Sequence, residues 1–140
     1  MADFTLLTRE TVITELRAFP GLLSLVPVER IFGMAQVEDC PYPFTRYGVP
    51  IIAAYNASCI AGSATEITLH AFTEGDSEDE VTAICAEFVA CLDSRHIPVP
   101  VPEAIGEVNI CFRWTGGQVM MDPLESRVWH GFRIFDAEAI

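Results

Sequence analysis

Lysine is missing altogether: the eight basic residues of the 140-residue chain are all arginine, against twenty acidic residues, for a formal charge of −12. A surface with that balance repels phosphate backbones, which excludes sequence-reading or sliding contact with nucleic acid. The missing lysine itself reads as the mark of a GC-rich coding genome rather than of chemistry. No apolar run approaches the roughly 18 residues of a membrane-spanning helix, so no membrane partner is expected. Nothing basic precedes an apolar stretch after Met1-Ala2-Asp3-Phe4, and the chain reads as a soluble protein kept in a reducing compartment. The five cysteines, Cys40, Cys59, Cys85, Cys91 and Cys111, contain no CxxC pair and no zinc spacing, and an odd number speaks against a disulfide framework. GxSxG, HExxH and a phosphate-binding glycine loop are all lacking. No catalytic residue, metal or cofactor is therefore expected. A small thiol-dependent enzyme is the alternative from a different class, with Cys59–His70 or Cys111–His130 as the pairs that spacing alone permits.

What is present is enough for a core: 51% of the residues are hydrophobic, and 1–140 reads as a single domain. The organising stretch is Ala64–Leu92. Thr65, Ile67, Leu69 and Ala71 alternate with Glu66, Thr68 and His70, the period-two pattern of a half-buried strand, with His70 on its solvated side. An acidic turn follows. Ser77-Glu78-Asp79-Glu80 has the spacing of a capping box. Val81, Ile84, Cys85, Phe88, Val89 and Leu92 then form one apolar helix face about four turns long. Glu74, Asp76, Glu78, Asp79 and Glu80 pose the question of calcium, but the EF-hand order of ligands is missing. Acids in a first turn favour the helix macrodipole by about 0.3–1 kcal/mol each, and that explanation suffices.

Around this stretch, Thr8 reads as the N-cap of a helix over Thr8–Phe19, with Leu7 and Val12 stapled across it. Pro20 opens a short second helix, and Arg30-Ile31-Phe32 is a short strand. Phe44–Tyr47 and Val49–Ala57 are strands; Pro50, lacking a ladder donor, places its segment at an edge or a bulge. The Pro98, Pro100 and Pro102 alternation dictates an extended or edge segment. Val108, Ile110, Phe112 and Trp114 alternate along a strand, Thr115-Gly116-Gly117 reads as its hairpin turn, and Gln118–Met121 returns. Arg127–Phe135, large on both faces, is an interior strand or one under a neighbouring chain. Together these predict an α+β fold: a four- to five-stranded, mainly antiparallel sheet with two main helices packed on one face.

The order of these elements resembles the tail completion, or tail terminator, family of siphophages and gene transfer agents. The resemblance rests on Leu22-Leu23-Ser24-Leu25-Val26 before Arg30-Ile31, the strand running into Ser77–Leu92, and Trp129-His130-Gly131-Phe132-Arg133-Ile134-Phe135. It spans about Thr8 to Phe135. It departs from the family pattern at the Pro98/Pro100/Pro102 arm and in the Tyr42–Gly62 segment. What it implies is a structural virion protein, assembled in the host cytoplasm, that forms a homohexameric ring on the head-proximal end of the tail tube. Its partners would be the tail tube protein and the head-side connector or stopper protein, with DNA only in transit through the lumen. A connector component of similar size is the alternative within the same class, and a cytosolic adaptor binding a peptide along its sheet edge is another. Glu74, Asp76, Glu78, Asp79 and Glu80 are candidate lumen or interface acids. Phe44, Arg46, Tyr47, Trp114 and Trp129 are candidate subunit or tube contacts.

Overall fold

The computed structural model describes residues 4–33, 39–57, 60–100 and 107–139, with the backbone alone described between 53 and 63. Its elements in chain order are α1 (Thr5–Arg17), α2 (Pro20–Leu23), a 3-10 turn, β1 (Ile31–Phe32), β2 (Phe44–Tyr47), β3 (Ile51–Ala57), β4 (Ile60–Glu74), α3 (Asp79–Leu92), β5 (His96–Pro100), β6 (Glu107–Met121) and β7 (Val128–Ala139). The strands form one sheet in the order β1-β2-β4-β7-β6-β5, with β3 also pairing to β4. β1 and β2 run parallel; every other pair is antiparallel. The sheet is thus mixed, seven-stranded and curled about its helices, not a flat sheet of four or five strands. Two runs that look broken in sequence remain in the ladder.

The first such run is Phe44–Ala57. β2 and β3 lie end to end along the same side of β4, Tyr47 opposite Leu69 and Ile51 opposite Glu66. Three residues of one strand therefore face two of the other, a bulge at Gly48-Val49-Pro50 that accommodates the missing proline donor. The second is β6. Gly116 and Gly117 make no hairpin turn; Trp114 lies opposite Phe135 and Gly116 opposite Ile134, so Thr115 bulges out of a continuous strand. Before it the core-facing positions are even (Val108, Ile110, Phe112); after it they are odd (Val119, opposite Gly131). A change of phase signals either a turn or a bulge, and here it is a bulge. Gly117 is required by a close approach, since a Cβ there would run into the Phe132 carbonyl oxygen. The chain turns instead at Asp122–Arg127, where Asp122 N donates to Val128 O at 2.8 Å.

Among the described residues the helices lie on one face. α3 packs across β4, β7 and β6, with Val81, Ile84, Cys85, Phe88, Cys91 and Leu92 completely buried. Opposite them lie Ile67, Leu69, Ala71, Ile110, Phe112 and Phe135. Gly131 leaves the room α3 needs: a Cβ there would sit 2.8 Å from Cys85 Sγ and 2.9 Å from Val81 Cγ2. Val12 and Leu16 of α1 join the same core.

Two capping expectations fail. α1 begins at Thr5, so Thr8 is a buried residue inside it whose amide donates to Phe4 O at 2.8 Å, and the expected staple has no cap to bridge. Ser77 is no capping-box residue: its Oγ accepts a 3.3 Å bond from Asp79 N, and the N-cap position, Glu78, makes no side-chain cap bond. Pro20 does open α2, and β5 is an edge strand that tolerates Pro98 and Pro100. Pro102 lies outside the described residues.

Candidate functional site

Among the described residues no helix covers the second face of the sheet. Pleat alternation sends Phe44 and Arg46 of β2, His70 and Phe72 of β4, and His130 and Phe132 of β7 to this side, in register across the strands: Phe44 opposite Phe72, Phe72 opposite His130, Arg46 opposite His70, His70 opposite Phe132. All are half-buried. Their rings form a ladder. Tyr42 lies 5.5 Å from Phe44, Phe44 stacks on Phe72 at 4.9 Å, and Phe72 stacks on His130 at 4.4 Å with only 8° between planes. Arg46 lies over the Phe72 ring at 5.7 Å, within cation–π range.

His70, expected on a solvated strand face, is instead inside this ladder. Its Nδ1 is 2.8 Å from His130 Nε2, so one ring donates and the other accepts. Burial pushes His70 down to about 4, with Arg46 and His130 adding to the effect. Burial and Arg46 also lower His130, partly offset by Asp122. The pair is neutral at pH 7. Sixty residues separate the two histidines in sequence, and nothing local in the sequence announces their pairing.

Of the expected contact residues, Phe44 and Arg46 sit within this ladder. Tyr47 does not reach a surface: one pleat position along, it points beneath the helices, 1% exposed, with its phenol pushed up to about 12 by burial. It is a core residue and drops out as a contact. Trp114 is 46% exposed, its indole bonded to Gly116 O at 3.0 Å. Trp129 is half-buried against the core and donates to Gly75 O at 3.2 Å, tying the acidic turn to β7. Glu74, Asp76, Glu78, Asp79 and Glu80 are all exposed at that same end of the sheet. Asp76 pairs with Arg127 at 3.1 Å, and no three His, Cys, Asp or Glu side chains among the described residues are grouped to hold a metal.

The thiol pairs that spacing permitted do not form as written. Cys111 Sγ lies 3.5 Å from His96 Nδ1, not beside His130, and Cys59 is outside the described residues. Cys85 and Cys91 are buried, and burial raises both to about 11, which leaves them protonated and inert.

The fold is of the α+β class, a curled mixed sheet with helices on one side and an aromatic, charged face on the other. The sequence carries the particular assignment: residues 10–137 match the family described as Tail completion protein gp17, and the chain belongs to that family, as a structural component of the virion tail. In fold it is similar to a chain in the virion of a native gene transfer agent particle, with a TM-score of 0.71 at 14% identity, over 91% of this chain and 90% of that one. No curated protein sequence matches it.

Proposed function

We propose that the chain is a tail terminator: six copies close into a ring on the head-proximal end of the tail tube, end its polymerisation and present the surface that receives the head connector. The observation that carries this reading is the family match over nearly the whole chain, supported by the likeness of fold to a gene transfer agent virion chain. A head-to-tail ring needs two unlike surfaces on each subunit. One is β3, which among the described residues pairs with β4 alone; Val49 just before it and Ile51 and Ile52 within it are 76%, 64% and 52% exposed. Open edges pair readily across protomers. Phe44, Arg46 and Trp114 are the candidate contacts with a neighbour or with the tube, alongside the bulged Gly116-Gly117 segment.

DNA would pass through the lumen without binding. Sixfold repetition of a −12 chain supplies a repulsive wall if the acidic turn faces inward. Two experiments test the proposal. Light scattering of the purified chain, or of the chain assembled on tube ends, should give six subunits, and particles lacking it should carry tubes of unregulated length and unjoined heads. Normal tails and joined heads without the chain would overturn the reading. Neutralising Glu74, Asp76, Glu78, Asp79 and Glu80 together should slow or retain DNA during ejection; unchanged ejection from intact particles would remove these acids from the lumen.

A further inference from the structure

We propose that Cys111 is a modification site whose thiol, with His96 as its proton acceptor, takes up small neutral or cationic disulfides by thiol–disulfide exchange. The strand register builds the site. His96 on β5 lies directly opposite Cys111 on β6, and Cys111 lies opposite Glu138 on β7. Their neighbours Ile97, Phe112, Ala137 and Ala139 are buried under the helices, so pleat alternation brings these three side chains out together on the helix-free face. Cys111 Sγ and His96 Nδ1 are 3.5 Å apart, and with the ring proton on Nε2 the imidazole accepts from the thiol. A hollow of about 280 Å³ opens over the pair, lined also by Ser94, Arg113 and Asp136, with room for a small thiol-derived group.

The other described thiols lack this arrangement. Cys85 and Cys91 are completely buried and held protonated. Cys40 lies 3.5 Å from the carbonyl oxygen of Pro41, which is no base, and burial raises its thiol. In the exchange, Cys111 Sγ attacks one sulfur of a disulfide RS–SR while its proton passes to His96 Nδ1. The Cys111–SR bond forms, the RS–SR bond breaks, and the leaving RS⁻ carries off the electron pair and takes the proton from the imidazole. One disulfide replaces another, so no separate oxidant enters, and the chain is modified once without turnover. Charge narrows the reagent. Arg113 is held by Asp136 at 2.9 Å, while Glu138 has no ion pair among the described residues. Its carboxylate, on a chain of net charge −12, repels anionic disulfides and admits neutral or cationic ones.

The test treats the full chain with cystamine at neutral pH, and peptide mapping by mass spectrometry assigns the adduct among the five cysteines. Cys111 should be labelled about tenfold or more faster than Cys40 and than N-acetylcysteine amide. His96→Ala should remove that advantage, and imidazole added to the buffer should restore part of it. Cys40 should keep its rate throughout, as the internal control for the fold. Two methanethiosulfonates with the same leaving group, one carrying trimethylammonium and one sulfonate, read the charge. After division by their rates with N-acetylcysteine amide, the cationic reagent should react with Cys111 about fivefold faster, and Glu138→Gln should shrink that preference. First labelling at any other cysteine, or a rate no higher than that of the free thiol, would overturn the proposal. So would His96→Ala without effect, a loss that imidazole does not rescue, or an equal slowing of Cys40. A sulfonate reagent that reacts as fast as the cationic one, or a preference untouched by Glu138→Gln, would overturn the class of reagent.

Discussion

The same strands present two faces that conceal different things. Under the helices, Ile67, Leu69, Ile110, Phe88 and Phe135 are at most 1% exposed and almost wholly apolar. On the other side, Phe72, His70, His130, Phe132 and Arg46 mix rings with charge and remain half-buried. Burial of apolar area scales stability, so the helix face holds the fold together. The open face, only half-buried, contributes less to stability.

Substitution can break this contrast. Phe88→Ala, beneath the helices, should cost about 3–5 kcal/mol in denaturant unfolding, because it removes a fully buried ring and leaves a cavity. Phe132→Ala on the open face should cost about 1–2 kcal/mol, since its ring is only partly buried. Equal losses would mean that the second face is covered as thoroughly as the first. Next in size are the glycines of β6. Gly117→Ala should destabilise by about 1–3 kcal/mol, whereas Gly116→Ala, with nothing near the added Cβ, should change stability little.

A pH series sharpens the same comparison. The folded state depresses His70 to about 4 and lowers His130, so the fold prefers both rings neutral. That preference costs nothing above the ordinary imidazole value of about 6.5. Between about 6.5 and 4 the unfolded chain takes up protons that the folded chain refuses, so stability falls as pH falls. The loss by pH 4 should be on the order of 1 kcal/mol after solvent screening, and His70→Gln should remove most of this dependence. Thermal unfolding across that range reads it directly. The smallest effect is expected at Ser77→Ala, under about 0.5 kcal/mol, because the serine accepts one long bond rather than closing a capping box.

The helix-covered face was largely legible in the sequence, because burial there imposes a period. α3 declares itself through Val81, Ile84, Cys85, Phe88 and Leu92, and β4 through Thr65, Ile67, Leu69 and Ala71. The proline alternation marked an edge strand for a local steric reason, and β5 is one. Ser77 misled because a capping motif specifies residue types, while the cap itself depends on where the helix begins. Gly116-Gly117 misled because turn and bulge share a composition. Tyr47 misled because one pleat position separates it from Arg46, and an aromatic suits either side. The ladder was illegible for a different reason: it joins β2, β4 and β7 through pairings that only the folded register creates.

The bulge at Thr115 has a genetic consequence. β6 is written in two pleat phases joined by that one residue, even before it and odd after it. Deleting Thr115 would remove the one unpaired residue and leave a regular strand in which Val108, Ile110, Phe112 and Val119 all keep their core face. A one-residue deletion elsewhere in β6, at Asn109 for example, would instead turn Val108, or Ile110 and Phe112, away from the core. Single-residue deletions that β6 tolerates should therefore cluster between Phe112 and Gly117.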